Sequence, residues 1–144
     1  MYPVLGLDTA LTIAKACFHK GRSIDASPLT VAILDSGGCL ITLQRQDGAS
    51  IFRPDIAIAK ALGAIGLGIS SRAIGVAAQQ RPSFISAIST LTHGNVVPVP
   101  GGVLIKNEQD HIIGAVGITG DESDIDESCA ISGIEQSGLK PGLD

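Results

Sequence analysis

The sequence is poor in aromatic residues. Its 144 residues include no tryptophan, one tyrosine and three phenylalanines, although 44% of the chain is hydrophobic. A core made from this material must consist of aliphatic side chains and alanine, packed around many of the 18 glycines. A chain of this length fits one domain, which can bury roughly two-thirds of the surface that the unfolded chain exposes.

Cysteines are few and widely separated. Cys17, Cys39 and Cys129 form no CxxC pair and are odd in number. This pattern predicts neither a disulfide framework nor a structural zinc site. We therefore expect small, buried hydrophobic residues in a reducing compartment, with a nucleophilic cysteine as the alternative.

Clusters of basic residues and long apolar runs are also missing. The formal net charge is −4, whereas a nucleic-acid surface needs Lys and Arg to displace counterions and aromatic rings to stack on bases. No apolar run reaches the length of about 18 residues that crosses a bilayer, and the N-terminus lacks the layout of a signal peptide. We expect a soluble, cytoplasmic protein that binds neither nucleic acid nor membrane.

The sequence does contain a clear succession of helix and strand patterns. Two hairpins are predicted, one pairing residues 30–34 with 39–44 and the other pairing residues 103–105 with 112–118. Helices are predicted over residues 7–20, 54–67, 71–80, 83–91 and 124–137. The first helix is expected to be capped by Asp8 or Thr9 and to stop at Gly21, and residues 96–99 are expected to form a short edge strand. This order predicts a single α+β domain, residues 1–144, with a mainly antiparallel sheet flanked by helices.

Glycines are concentrated in the second hairpin, around which the chain is organised. Gly101 and Gly102 precede it, and Gly114, Gly117 and Gly120 recur at three-residue spacing along its second strand. Glycine weakens a strand, so its repetition indicates a close backbone approach, a bulge or a cavity against the sheet. These glycines do not precede a helix in a dinucleotide or phosphate-loop layout. Gly120 could still present backbone N–H groups to an anion, because it comes just before the last helix.

Among the three histidines, His93 is the first candidate for chemistry. It follows Thr92 in a glycine-flanked loop and is interpreted as a metal or haem-iron ligand, a general base, or an ordinary loop histidine. His19 and His111 fall at a helix end and a hairpin turn, where surface positions explain them. No two histidines have metal-site spacing, so a metal cage made of protein ligands alone is not expected.

Charged residues provide two further candidates. Arg45 and Asp47 stand two apart at a strand end, where they could pair, hold a polar ligand together, or simply fix the turn into the next helix. Lys60 emerges from a largely apolar helix. Its amine could bind a carboxylate such as a haem propionate, titrate at a lowered pKa, extend to solvent, or join a salt bridge.

The ordered set of motifs resembles the GlcG/HbpS-like family, which includes the C-terminal domain of PduO-type proteins. The resemblance extends over residues 7–137. The stretches that carry it are Val-Ala-Ile-Leu-Asp-Ser-Gly-Gly at 31–38, Arg-Gln-Asp-Gly-Ala at 45–49, Lys-Ala at 60–61, Pro-Gly-Gly-Val at 100–103 and Ile-Gly-Ala-Val-Gly-Ile-Thr-Gly at 113–120. Gln46 and Gly63 replace a methionine and a threonine of the family pattern.

The resemblance implies a five-stranded antiparallel sheet of profilin/PAS-like appearance, assembled into dimers or larger homo-oligomers. Some family members bind haem, and the relatives fused to PduO indicate corrinoid metabolism. The resemblance also implies an accessory role in a catabolic pathway such as glycolate, glycerol or diol utilisation.

Three functions follow as hypotheses. The first is a binding protein for haem, cobalamin or a compact organic acid, in a pocket formed by Lys60, His93 and the glycine-rich strand. In that pocket Thr92 or His93 would reach the metal, while Lys60 and Arg45 would meet carboxylates. The second is a small enzyme acting on a hydroxy- or oxo-acid, with His93 or Lys60 as base and Arg45 as anion anchor. The third is a non-catalytic partner of a catabolic enzyme. The candidate site residues are Arg45, Asp47, Lys60, Thr92, His93, Gly101, Gly102, Gly117 and Gly120.

Overall fold

The computed structural model describes residues 4–144. Within them the chain forms five helices and five strands. In chain order these are α1 (Leu7–Ser23), β1 (Thr30–Asp35), β2 (Leu40–Arg45), α2 (Arg53–Leu67), α3 (Ser71–Gln80), α4 (Pro82–Leu91), β3 (Gly102–Lys106), β4 (Ile112–Thr119), α5 (Ser123–Gln136) and β5 (Lys140–Gly142). The predicted single domain of residues 1–144 includes three residues that lie outside the described part.

All five strands form one antiparallel sheet. Their spatial order is β2-β1-β4-β3-β5, and each neighbouring pair is antiparallel. Both predicted hairpins are confirmed, and they meet where β1 pairs with β4. The α+β class and the five-stranded antiparallel sheet are therefore confirmed.

The fifth strand lies at a different place in the chain from the expected edge strand. Residues 96–99 form no strand. The edge position beside β3 is taken instead by β5, with Gly142 opposite Leu104. Pro141 and Gly142 are residues that strands usually avoid, and a short edge strand is the place that tolerates them.

Hydrogen bonds of Ser70 connect the C-terminal segment to the start of α3. The Ser70 hydroxyl donates to the carbonyl oxygen of Leu143 (2.6 Å) and accepts from the backbone N–H of Ala73 (3.2 Å). The backbone N–H of Ser70 also donates to the carbonyl oxygen of Asp144 (2.9 Å). One serine thus caps a helix and holds the residues that follow β5.

α1 begins at Leu7 as predicted, whereas its predicted N-cap residue and its predicted end were wrong. Gly6, and neither Asp8 nor Thr9, is the N-cap residue, and the helix continues past Gly21 to Ser23. Gly21 is buried, and a Cβ added there would lie 2.7 Å from Cδ1 of Leu29. Glycine at position 21 therefore allows α1 to pack closely against Leu29, the residue before β1, and it does not end the helix.

The helices cover the two faces of the sheet. α1 and α5 pack on one face, and α2 packs on the other. α3 follows α2 and forms a third, smaller apolar cluster with α4, and α4 packs against no other helix or strand of the described chain. Among residues 4–144 no single helix is long and apolar enough to cross a membrane, although α2 and α3 together meet that length and composition as a pair bent by 74°.

Glycines allow α2 to lie directly on the sheet. A Cβ on Gly117 would overlap the carbonyl oxygen of Ala57, and one on Gly102 would overlap the carbonyl oxygen of Lys60. Of the three explanations for the repeated glycines, close backbone approach is the one found at these positions.

Candidate functional site

The predicted site residues lie in separate parts of the fold. Lys60 is on α2, where its side chain is only 2% exposed and its Nζ donates to the carbonyl oxygen of Ile118 (2.9 Å) and to Oδ2 of Asp126 (3.3 Å). Loss of solvation lowers the pKa of Lys60 and raises the pKa of Asp126, although their mutual attraction opposes both shifts. Binding of a ligand carboxylate by Lys60 stays a prediction. Of the alternatives, the salt bridge is the one found.

The glycines of the candidate site surround this ion pair or contact other parts of the backbone. Gly101 has a φ of +128°, and a Cβ added to it would lie 2.8 Å from Nζ of Lys60. A Cβ on Gly120 would overlap the carbonyl oxygen of Pro28. The structure thus packs both glycines against protein atoms.

Arg45 and Asp47 line a shallow polar recess of about 480 Å³, together with Ala26, Pro28 and Gln46. Nη1 of Arg45 donates to the carbonyl oxygen of Ala49 (2.8 Å). Oε1 of Gln46 accepts from the backbone N–H of Leu29 (2.7 Å). These contacts of Arg45 and Gln46 fix the turn after β2, and a joint role of Arg45 and Asp47 in holding a polar ligand stays a prediction.

Thr92 and His93 follow α4, and Thr92 lines a pocket between α2 and α4. This pocket, the α2–α4 pocket, has a volume of about 380 Å³. It is lined by Leu62, Gly63, Gly66, Leu67, Ile88, Leu91, Thr92, Asn95 and Val96. His93 is exposed, with a φ of +56° in the turn that leaves the helix.

A site that the sequence interpretation missed lies between α1 and α5. Lys15, His19 and Arg22 line a groove of about 290 Å³, which we call the α1–α5 groove, together with Thr12, Ala16 and Gln136. Their spacing of four and three residues places all three basic side chains on one face of α1. His19 is the histidine that lines a recess, since His93 and His111 line neither this groove nor the other two pockets.

The ionisable side chains that line the α1–α5 groove are all basic. No acidic residue lines it, and Lys15, His19 and Arg22 form no salt bridge within residues 4–144. The amide of Gln136 donates to Oγ of Ser132 (2.9 Å), which leaves its second N–H available. The groove therefore presents an imidazole between two unpaired cations.

Close helix packing forms the groove. α1 and α5 contact each other through small residues, so that a Cβ on Gly133 would overlap Sγ of Cys17. Cys17 and Cys129 are buried between these helices, and burial raises the pKa of the Cys129 thiol to about 11. The expectation of buried cysteines is confirmed for these two and is wrong for Cys39, which is exposed in the turn before β2.

Partly exposed ion pairs with Arg72 of α3 occupy the acidic start of α5. Nε of Arg72 donates to both carboxylate oxygens of Glu127 (3.1 and 3.0 Å), and its Nη2 donates to Asp124.

Within residues 4–144, no group of three or more His, Cys, Asp and Glu side chains is arranged to hold a metal ion.

The chain belongs to the HbpS-like family, described as haem degrading protein HbpS-like, whose model matches residues 5–135. This confirms the resemblance drawn from the sequence motifs. No curated protein matches the chain.

Several solved structures share the fold. The PduOC:haem complex is 19% identical, with a TM-score of 0.87, over 98% of this chain and 100% of that one. Protein ORFY of Klebsiella pneumoniae is 24% identical, with a TM-score of 0.87, over 96% of this chain and 93% of its own. HbpS is 20% identical, with a TM-score of 0.81, over 94% of this chain and 92% of its own. At these identities the likeness establishes the fold.

Proposed function

We propose that this protein is a ligand-binding accessory protein that binds haem in the α1–α5 groove. In this proposal His19 ligates the iron, and Lys15 and Arg22 pair with the propionates. The observation that carries it is the presence of an imidazole and two unpaired cations on one face of α1, around a single groove. Membership of the HbpS-like family and the fold shared with a haem complex support it.

The donor set fits haem in its chemistry. A histidine nitrogen is a common axial ligand of haem iron, and Lys and Arg form charge-assisted hydrogen bonds with carboxylates. Cobalamin carries neutral amide side chains on its ring and one anionic phosphodiester in its nucleotide loop, so it offers one anion to the two cations, whereas haem offers two propionates. Haem is therefore the better match, and when bound it would supply a redox-active iron.

An absorbance titration tests this function. The purified protein would be titrated with haemin and, separately, with hydroxocobalamin, and wild type would be compared with His19→Ala and His93→Ala. We expect a saturable shift of the haemin Soret band in wild type and His93→Ala, and a weakened, altered band in His19→Ala. Loss of the band in His93→Ala alone would restore the original prediction of His93 as the metal ligand. The absence of a saturable shift with haemin would overturn haem binding.

Assembly and cellular role remain proposals that rest on the resemblance. We infer a homo-oligomer, since Ile51, Phe52 and Leu91 are 83%, 68% and 73% exposed and large exposed apolar side chains favour association. Sedimentation at several protein concentrations would test this. A cytoplasmic role beside a catabolic enzyme, as in glycolate, glycerol or diol utilisation, would be tested by co-purification from the native cell. The enzyme hypothesis receives less support, because the amine of Lys60 is paired and buried.

A further inference from the structure

The α2–α4 pocket is separate from the α1–α5 groove and has different chemistry. It lies between the C-terminal half of α2 and α4, whose backbones do not approach each other because α4 lies beside α3. The turn of residues 92–96 closes the other side. Its volume of about 380 Å³ lies within the range of roughly 300–1,000 Å³ that small-molecule pockets occupy.

Two glycines of α2, Gly63 and Gly66, form the floor of the pocket. They differ in whether neighbouring atoms leave room for a side chain. A Cβ on Gly63 would lie 3.4 Å from the carbonyl oxygen of Asn95 and from Cα of Val96, so Gly63 allows the turn to pack closely. A Cβ on Gly66 would meet no atom within 4 Å. Glycine inside a helix is less favourable than alanine, and packing does not require it at position 66. Its effect is to keep that part of the pocket open.

The walls are apolar, and the polar groups lie along the turn after α4. Thr92 Oγ1 donates to the carbonyl oxygen of Ile88 (2.8 Å), so its lone pairs can accept. Asn95 Nδ2 donates to the carbonyl oxygen of Thr92 (2.8 Å), which leaves one N–H and Oδ1 for a ligand. No Asp, Glu, Lys, Arg or His side chain lines the pocket.

We propose that the α2–α4 pocket binds a compact, neutral, largely apolar molecule carrying one hydroxyl, carbonyl or amide group. Its apolar body would lie over Gly66 between Leu67 and Ile88, and its polar group would face Thr92 and Asn95. A charged ligand is disfavoured, because its charge would be desolvated without a partner. This site is independent of haem binding, since the lining holds no cation for a propionate.

Cyclohexanol is a suitable probe, with cyclohexanecarboxylate and cyclohexylammonium as charged analogues of the same shape. Each would be titrated into the isotope-labelled protein while backbone amide shifts are recorded. We expect saturable shifts with cyclohexanol at Gly63, Leu67, Thr92 and Asn95, and at least tenfold weaker binding of both charged analogues. Equal affinity for the three probes, or shifts confined to other parts of the molecule, would overturn the proposal.

Two variants give a matched test of the pocket itself. Gly66→Leu places a side chain in the open space, whereas Gly6→Leu makes the same change at a glycine whose added Cβ also meets nothing within 4 Å but which lies outside the pocket. Cyclohexanol affinity is expected to fall at least tenfold in Gly66→Leu and to stay unchanged in Gly6→Leu. Unchanged affinity in Gly66→Leu would show that the probe binds elsewhere. The comparison of the three probes on wild type decides the proposal even if Gly66→Leu fails to fold.

Discussion

Nζ of Lys60 lies 3.3 Å from Oδ2 of Asp126, and the two side chains are 2% and 1% exposed. Lys60 belongs to the helix on one face of the sheet, and Asp126 belongs to a helix on the other. The pair therefore joins the two layers past the end of β4, where Lys60 also contacts the carbonyl oxygen of Ile118. Oδ1 of Asp126 accepts from the backbone N–H of Asp121 (3.0 Å), so the carboxylate also orients the turn into α5.

Removal of one partner of this pair should destabilise the protein strongly. Lys60→Met leaves a buried carboxylate without its cation, which typically costs about 3–5 kcal/mol. The double variant Lys60→Met/Asp126→Leu leaves no unpaired charge and should recover most of that loss. Urea denaturation of wild type and the variants measures this. A single variant as stable as wild type would contradict the assigned pairing.

The close approach of α2 to the sheet gives a second prediction. Gly117→Ala adds a Cβ that overlaps the carbonyl oxygen of Ala57, and forced displacement in a packed interior costs about 1–3 kcal/mol. The matched control is Gly66→Ala, whose Cβ meets nothing within 4 Å. It should gain about 0.5–1 kcal/mol through helix propensity. Thermal unfolding of both variants should show changes of opposite sign, and similar changes would refute the packing explanation.

The pH dependence of stability should include a contribution from Asp121. Its carboxylate accepts from the backbone N–H groups of Ser27 and Glu122 (2.7 Å each), and these bonds lower its pKa below the ordinary value of 3.8. The unfolded chain therefore binds more protons in that range, and the stabilisation is present above about pH 4 and is lost as pH falls through the folded-state pKa.

The variant Asp121→Asn should consequently show a shallower loss of stability in acid than wild type. Asp47→Asn is the control, because within the described residues the Asp47 carboxylate accepts no hydrogen bond from a side chain or backbone group. Urea midpoints measured between pH 3 and pH 7 would test this. An acid limb of unchanged slope in Asp121→Asn would contradict the role assigned to these two bonds.

The cations of the α1–α5 groove should affect haem affinity more than the haem spectrum. Lys15→Gln/Arg22→Gln removes the proposed propionate partners, each worth roughly a tenfold change in affinity, while His19 continues to set the Soret band. Lys140→Gln is the control for the loss of a surface cation outside the groove, because its ammonium pairs with Asp110 (3.3 Å) on another part of the surface. Equal haemin affinity in the double variant and the control would remove Lys15 and Arg22 from the site.

The elements with strong local patterns were predictable from the sequence. The hairpin of β1 and β2 has a continuous β-branched run and a glycine turn, and α1 and α2 carry apolar residues at helical spacing. β5 was not predictable, because Lys140-Pro141-Gly142 contradicts strand preference and pairs only because β3 offers it an edge. Local strand propensity does not predict a pairing that depends on tertiary context.

The site was only partly predictable, because it depends on contacts between residues that are far apart in the sequence. Lys60 and Asp126 are far apart in the chain, so the apolar surroundings of Lys60 indicated an unusual amine but could not identify its partner. The α1–α5 groove had a usable signal, since Lys15, His19 and Arg22 share a helical face. That signal was missed because His19 was interpreted only by its position near a helix end.

Chemical rescue tests the haem proposal most directly. His19→Gly would be loaded with haemin, and absorbance spectra would be recorded as free imidazole is added, with His93→Gly treated in the same way. We predict that His19→Gly loses the wild-type Soret band and that imidazole restores it saturably, while His93→Gly retains it throughout. A wild-type spectrum in His19→Gly before imidazole is added would contradict ligation by His19.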